Sequence, residues 1–110
     1  MPQIRFRGVS IDQTKSISKA MVHELAELCE CGKDNFTLEC VQSTYVSEGE
    51  TIDMYPFIEV EWFERGQEVR DAFAEIVTKH VLGLGMDEVE IAFNTYKESG
   101  YYINGKSCAE

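Results

Sequence analysis

A strand-opening proline occurs twice in this sequence, and no other feature restricts the possible folds as much. The chain opens with Pro-Gln-Ile-Arg-Phe-Arg from Pro2, and a second stretch reads Pro-Phe-Ile-Glu-Val-Glu from Pro56. Both stretches alternate apolar and charged residues, which is the period-2 pattern of a strand with one buried face. Proline is tolerated at the first position of a strand, where its missing N–H is not needed. The sequence therefore predicts two similar halves, about residues 2–54 and 56–110.

Each opening strand is followed by a helical pattern and then by another apolar strand. Apolar residues recur from Ile17 to Leu28 at spacings of three and four, and Gly32 follows them as a helix-ending residue. The predicted elements are strands at 4–7, 37–46, 56–63 and 89–96, helices at 11–31 and 67–84, a loop at 47–55, and a short strand with a tight turn at 101–105.

This order predicts a single α+β domain over residues 1–110. In each β-α-β unit, a right-handed crossover lays the helix over its own pair of parallel strands. Two units side by side give one four-stranded mixed sheet with both helices on one face, plus a short C-terminal strand. Pro2 and Trp62 fall on the face toward the helices, so Trp62 is expected in the core.

The opposite face of the predicted sheet carries charge. Arg5 and Arg7 lie on the first strand and Glu59 and Glu61 on the third, so antiparallel neighbours would place opposite charges across from one another. A monomer of this size would leave the whole face wet. We therefore expect it to face other subunits.

Composition restricts the possible partners and location. With 44% hydrophobic and 27% charged residues, the chain has the profile of a globular protein. A net charge of −10 argues against nucleic acid as a partner, because phosphate binding needs clustered Lys and Arg. No apolar run reaches the roughly 18 residues that span a bilayer. We expect a cytoplasmic protein without membrane contact.

The cysteines do not indicate a metal site or a cofactor. Cys29 and Cys31 form a C-x-C pair, but no second pair of metal-binding spacing accompanies them. Reduced thiols without a metal are the favoured interpretation, and no cofactor is expected.

The proline pattern and several shorter motifs resemble the tautomerase superfamily, which includes 4-oxalocrotonate tautomerase and macrophage migration inhibitory factor. The motifs are Pro2 at a strand start, the Gly32-Lys33 turn, Pro56, and Asn-Thr-Tyr at residues 94–96. The resemblance covers essentially the full length. A little-characterised bacterial branch is more similar still, with Tyr-Pro-x-x-Glu-Val-x-Trp-Phe-x-Arg (here 55–65) and a Tyr-Tyr-Ile-Asn-Gly tail (here 101–105).

The resemblance implies a trimer with active sites at subunit boundaries, no cofactor, and the terminal proline as catalytic base. A free α-amino group has a pKa of about 7.7–8.0, and burial or nearby cations lower it. Once Met1 is removed, Pro2 would then take a proton from carbon in a small keto or enol acid.

Four further residues are candidates for substrate binding: Lys33, Arg65, Tyr96 and Tyr102. Lys33 falls where the migration inhibitory factor has a site lysine, and Arg65 ends the third strand near a pocket position. Each also has an ordinary structural interpretation. Lys33 can be a solvated helix-end cation, Arg65 can pair with Glu61 or Glu64, and the tyrosines can lie at a subunit interface.

Two alternatives remain open on the sequence. If Met1 is retained, the Pro2 nitrogen is an amide without a basic lone pair, and a non-catalytic trimer that binds a ligand or partner is favoured. Ferredoxin-like domains such as acylphosphatases share the strand order, and Phe6-Arg7-Gly8-Val9 is faintly similar to their phosphate loop. In that fold the two units interleave.

Overall fold

The computed structural model describes residues 1–109 and places two long helices on one face of a four-stranded sheet. The elements in chain order are β1 (Gln3–Arg7), α1 (Ile11–Cys29), β2 (Thr37–Cys40), β3 (Tyr45–Ser47), β4 (Glu50–Ile52), β5 (Phe57–Phe63), α2 (Gln67–Leu82), β6 (Glu90–Tyr96), β7 (Tyr102–Ile103) and β8 (Lys106–Ser107). Short 3-10 turns span Lys33–Asn35 and Glu98–Gly100.

The sheet order β2-β1-β5-β6 keeps the two β-α-β units side by side. Within each unit the strands are parallel, β1 with β2 and β5 with β6, whereas β1 and β5 are antiparallel neighbours at the centre. The predicted fold class is confirmed. The ferredoxin-like alternative is wrong, because it requires interleaved units and here the two strands of each unit are adjacent.

Each proline begins a parallel strand pair in the same way. The Pro2 carbonyl accepts a hydrogen bond from the Thr37 N–H at 3.2 Å, and the Pro56 carbonyl accepts one from the Glu90 N–H at 3.1 Å. The proline carbonyl therefore accepts a hydrogen bond from the neighbouring strand. The proline nitrogen, which has no hydrogen to donate, lies outside the hydrogen bonding between the strands. This explains why the two strands can begin with the same residue.

The core lies between the sheet and the helices, and its members follow the predicted alternation. Pro2, Ile4, Phe6, Ile58, Val60 and Trp62 are all buried on the helix side of the sheet, against Met21, Leu25, Phe73, Val77 and Val81. Trp62 is fully buried, as expected, and its ring lies 5.5 Å from that of Phe73 and 4.9 Å from that of Phe93. Burying one large apolar side chain contributes about 1.5–3 kcal/mol, so each of these buried residues stabilises the fold by about that amount.

The expected strand at 37–46 is wrong in its second part. The strand β2 ends at Cys40, and residues 45–47 turn back to pair with 50–52 in a separate hairpin, β3–β4. Glu48 and Gly49 both have positive φ, 50° and 77°, which is the two-residue turn that matches the twist of a hairpin. The same geometry at Asn104 and Gly105 forms the predicted C-terminal turn, between β7 and β8.

Within residues 1–109, no helix has both the length and the apolar composition to cross a bilayer.

Candidate functional site at the proline end of the sheet

Pro2 stands at the start of the central strand β1, at the end of the sheet where β5 and β6 finish. We call this the proline end. Gln3 pairs with Glu61, so the next step of the antiparallel register brings Pro2 opposite Trp62. Both side chains face the helices and both are fully buried in the single chain. The Met1 ammonium donates to the Asn35 carbonyl at 2.8 Å, so the segment before β1 is held against the turn before β2.

Lys33 lies at the proline end but on the outer surface. It belongs to the 3-10 turn that carries Asn35, and its side chain is exposed. Together with His23 and Glu24, Lys33 lines a surface groove of about 510 Å³ along α1. In the single chain its ammonium therefore faces the helix surface.

Arg65 follows β5 and lies against the residue that faces Pro2. Its guanidinium carbon is 5.5 Å from the centre of the Trp62 ring, and its Nη1 donates to the Phe63 carbonyl at 3.2 Å. Of the ordinary partners expected for Arg65, only Glu64 contacts it, through the Arg65 backbone N–H. The guanidinium thus remains beside Trp62 at the proline end.

Tyr96, the last residue of β6, lies on the open face of the sheet. Its hydroxyl donates to the carboxylate of Glu61, which is only 6% exposed and lies 3.2 Å from the Arg5 guanidinium. The hydrogen bond to Glu61, with burial and the carboxylate's charge, raises the pKa of Tyr96. The phenol is therefore a neutral hydrogen-bond donor at neutral pH.

Tyr102 does not join Tyr96. It lies in β7 and is 63% exposed. Its neighbour Tyr101 takes the inner position instead, with its ring 5.1 Å from Phe63 and 5.7 Å from Tyr96. Sequence reasoning missed Tyr101, because a pair of adjacent tyrosines does not show which one turns inward.

Glu64 and Arg70 form a further charged pair beside Trp62 that the sequence analysis did not identify. The Glu64 carboxylate is hydrogen-bonded to the Arg70 guanidinium and also accepts the N–H groups of Arg65 at 3.1 Å and Gly66 at 3.0 Å. These contacts, Arg70 foremost, lower the pKa of Glu64. The Arg70 guanidinium carbon lies 5.7 Å from the Trp62 ring centre. The only signal in the sequence is an acidic residue two positions before a helix-starting glycine.

The open face of the sheet carries the charge pairing that the sequence predicted. Arg7 pairs with Glu59 at 2.7 Å, and Arg5 reaches both Glu39 at 2.9 Å and Glu61 at 3.2 Å. The two pairs between β1 and β5 run diagonally, because the residue directly opposite Arg5 on β5 is Glu59, whereas Arg5 and Glu39 are in register. Charge on this face is thus largely compensated within the chain.

Cys29, at the end of α1, is near enough to Arg65 for the guanidinium to affect it. Burial raises the pKa of the Cys29 thiol, and the positive charge of Arg65 opposes that only in part. The thiol therefore stays protonated at neutral pH and is a poor nucleophile. In the described part of the chain, His, Cys, Asp and Glu do not gather in threes in a way that could hold a metal ion.

A different groove lies at the far end of the sheet, where β1 finishes. It has a volume of about 430 Å³ and is lined by Arg7, Tyr45, Val46, Ile52, Tyr55 and Phe57. None of the residues predicted as catalytic or substrate-binding belongs to this groove. Pro2, Lys33, Arg65 and Tyr96 lie at the proline end but on different surfaces of it, and Tyr102 lies in the exposed hairpin.

Comparison with solved structures shows the same fold in the tautomerase superfamily. A fused 4-OT wild-type protein that forms an asymmetric trimer is 10% identical, with a TM-score of 0.83 over 98% of this chain and 97% of that one. Pt0534, solved after inactivation by 2-oxo-3-pentynoate, is 14% identical, with a TM-score of 0.76 over 98% of both chains. At such identities the likeness establishes the fold, and the predicted tautomerase resemblance is confirmed at that level.

A nearer relative has a solved structure and no assigned activity. The protein from Sebaldella termitidis ATCC 33386, a domain of unknown function, is 36% identical, with a TM-score of 0.90 over 97% of this chain and 99% of that one. No curated protein matches the sequence. The family model described as "Domain of unknown function (DUF1904)" matches residues 1–107. The chain therefore belongs to the DUF1904 family and has the tautomerase fold.

Proposed function

We propose that this protein is a tautomerase-like enzyme that transfers a proton between carbon and oxygen of a small keto or enol acid. Pro2 is the base, once removal of Met1 has freed its nitrogen. The observation that carries the proposal is the position of Pro2 opposite Trp62, whose ring lies within 6 Å of the guanidinium groups of Arg65 and Arg70.

The physical reason is that burial and nearby cations disfavour the protonated amine. Both effects lower the pKa of a terminal amino group, so the free Pro2 nitrogen is neutral at pH 7 and accepts a proton from the carbon beside a carbonyl. The same cations stabilise the negative oxygen of the enolate as it forms. Arg65 holds the substrate's carboxylate in this scheme, and the neutral Tyr96 hydroxyl turns from Glu61 to donate to the substrate.

A homotrimer completes the site in this proposal. One face of the sheet is uncovered in the single chain, and the β7–β8 hairpin exposes Tyr102 and Ile103. The fused 4-OT protein with the same fold forms a trimer. Packing three sheets together covers the open face and brings Lys33 and Tyr102 of one protomer to the site of the next.

The test follows deuterium uptake at C3 of pyruvate in D₂O by NMR, with a chain carrying an extra lysine between Met1 and Pro2 as the matched control. The added residue keeps the Pro2 nitrogen acylated, and it adds one positive charge to the terminal segment. We expect processed protein to exchange at least about 10²-fold faster than the control, the usual contribution of a positioned base. Equal rates would show that Pro2 is not the base.

A covalent label gives an independent readout. Because Pt0534 is inactivated by 2-oxo-3-pentynoate, we expect the processed protein to gain one adduct, located on its N-terminal peptide by mass spectrometry. The lysine-extended control should stay unmodified at Pro2.

A second candidate is a ligand-binding protein without catalysis. It applies if Met1 stays attached, because the Pro2 nitrogen is then an amide without a basic lone pair and the Met1 ammonium donates to the Asn35 carbonyl. This candidate predicts an intact Met1 in protein purified without a tag, whereas the enzyme predicts its loss. The mass of the intact chain decides between them.

A further inference from the structure

A carboxylate accepts two backbone hydrogen bonds just before α2. The first N–H groups of a helix have no partner within the helix, and together they form its positive end. Gly66, at the N-cap, has φ of 91° and no side chain to accept a hydrogen bond. Glu64 supplies the acceptor, with one oxygen 3.1 Å from the Arg65 N and 3.0 Å from the Gly66 N.

The same carboxylate is paired with Arg70, and the two partners differ in exposure. The Arg70 side chain is 22% exposed, whereas that of Glu64 is 56% exposed. The cation is thus fixed by its packing on Trp62 and Phe93, at 5.7 and 6.0 Å from the ring centres. The carboxylate lies on the solvent side and can leave without opening the core.

Trp62 adds an independent sign that an acceptor is missing here. Its Nε1–H is buried and has no hydrogen-bond partner among residues 1–109. An unsatisfied buried donor costs about 1–3 kcal/mol, so such groups are few and each requires an explanation. The indole belongs to the ring against which both guanidinium groups lie.

We infer that the guanidinium groups of Arg65 and Arg70 beside Trp62, together with the N–H groups of Arg65 and Gly66, form an anion seat for the carboxylate of a small carboxylic-acid ligand, and that Glu64 fills this seat in the free protein. The ligand binds by displacing the Glu64 side chain. The inference refines the proposed function, since it states where the substrate acid is held, but it concerns binding and does not require turnover.

Two consequences distinguish this seat from an ordinary surface ion pair. A ligand must carry a negative charge to compete with Glu64, so a neutral amide of the same shape does not bind. Glu64 also reduces the fraction of protein that is open to the ligand, and apparent affinity falls by that fraction. Removing its charge should therefore tighten binding.

The experiment uses Trp62, the single tryptophan of the chain, as its reporter. Fluorescence is titrated with pyruvate and, separately, with pyruvamide, in the lysine-extended protein whose Pro2 is blocked. We expect a saturable change with pyruvate and none with pyruvamide. Glu64→Gln should lower the apparent Kd for pyruvate about tenfold. Its amide oxygen can still accept the N–H groups of Arg65 and Gly66, so the backbone before α2 keeps these two hydrogen bonds.

Glu75→Gln is the matched control, because it removes the same charge from an exposed residue of α2 about two turns beyond the seat. It should bind pyruvate as the parent does, and Arg70→Met should lose the saturable change. The inference is overturned if Glu64→Gln binds no more tightly than Glu75→Gln, or if neither the parent nor Glu64→Gln binds pyruvate. Should Arg70→Met not fold, the two glutamate variants decide alone. Binding without C3 exchange in processed protein would refute the enzyme and keep the seat.

Discussion

The two β-α-β units begin their helices in different ways, although their strands begin alike. In the first unit Ser10 and Gln13 form a reciprocal capping box, with the Gln13 N–H donating to the Ser10 hydroxyl at 3.1 Å and the Gln13 side chain accepting the Ser10 N–H at 2.9 Å. In the second unit the N-cap is Gly66, which has no side chain, and its N–H donates to Glu64, which is paired with Arg70. The hydrogen bonds at the start of the first helix are made by uncharged side chains. Before the second helix the acceptor is a carboxylate, which another anion can displace.

The largest difference between the units is expected at the glycines that follow β1 and β5. Both have positive φ, 76° at Gly8 and 91° at Gly66, so alanine costs about 1–3 kcal/mol at either position from backbone strain. At Gly8 a Cβ would also lie 2.2 Å from the Tyr55 carbonyl oxygen, whereas nothing lies within 4 Å at Gly66. We expect Gly8→Ala to lose about 1–3 kcal/mol more than Gly66→Ala, measured by urea unfolding. Equal losses would mean that the Tyr55 segment moves aside freely.

The next effect concerns the neutral cap of α1. Ser10→Ala removes the acceptor for the Gln13 N–H, and the loss of such a cap typically costs about 1 kcal/mol. Ser16→Ala on the same helix serves as control, because that hydroxyl bonds only the Gln13 carbonyl. Comparison of urea midpoints checks this. If both variants unfold at the same urea concentration, the capping box contributes nothing.

A smaller and pH-dependent effect is expected at the charged cap of α2. The pKa of Glu64 is held below its ordinary value of 4.5, first by the Arg70 hydrogen bond. A carboxyl with a lowered folded pKa stabilises the protein fully above the unfolded pKa, and that stabilisation is lost as the pH falls through the folded value. The stability gap between wild type and Glu64→Gln should therefore close below about pH 4.5. A gap that stays constant from pH 7 to pH 3 would contradict this.

The same pH range should leave the start of α1 unaffected, since Ser10 and Gln13 carry no charge. The difference in free energy of unfolding between wild type and Ser10→Ala should therefore not change with pH, and it serves as the reference for the Glu64→Gln series. Unfolding by urea at several pH values between 3 and 7 gives both gaps in one series.

The smallest effect is expected at the outer edge of the first unit. Arg5 and Glu39 form an exposed pair, with side chains 41% and 58% exposed. Exposed pairs contribute roughly 0–1 kcal/mol, and Arg5 keeps Glu61 as a second partner. Glu39→Gln should change the free energy of unfolding by less than about 0.5 kcal/mol. A larger loss would show that this edge strand depends on its charge.

The fold was accessible from the sequence because it depends on patterns that repeat. Alternation on β1 and β5 determines which residues meet the helices, and the residues from Pro2 to Phe6 obey it. The hairpin at 45–52 was missed, because one glycine marks a turn but not that the preceding Glu48 also takes positive φ. Local chemistry of that kind gives a weak signal in a sequence.

The candidate site was only partly predictable for a related reason. Arg65 could be recognised as a candidate from the sequence, because it follows the end of a strand that begins with Pro56. The roles of Glu64 and Arg70 depend on the backbone angle of Gly66, which brings a residue before the helix over its first turn. Contacts that depend on the φ angle of a single residue do not produce a repeating pattern in the sequence.

The close approach of Gly8 to the Tyr55 carbonyl indicates where the segment between the two units can be lengthened. The contact ties the end of the first strand to the residue just before Pro56, and Tyr45 adds a hydrogen bond to the same carbonyl at 3.2 Å. The linker is thus fastened at its base, while its tip at Glu48 and Gly49 is exposed. That tip is the natural place to insert a tag or a second protein without disturbing either half.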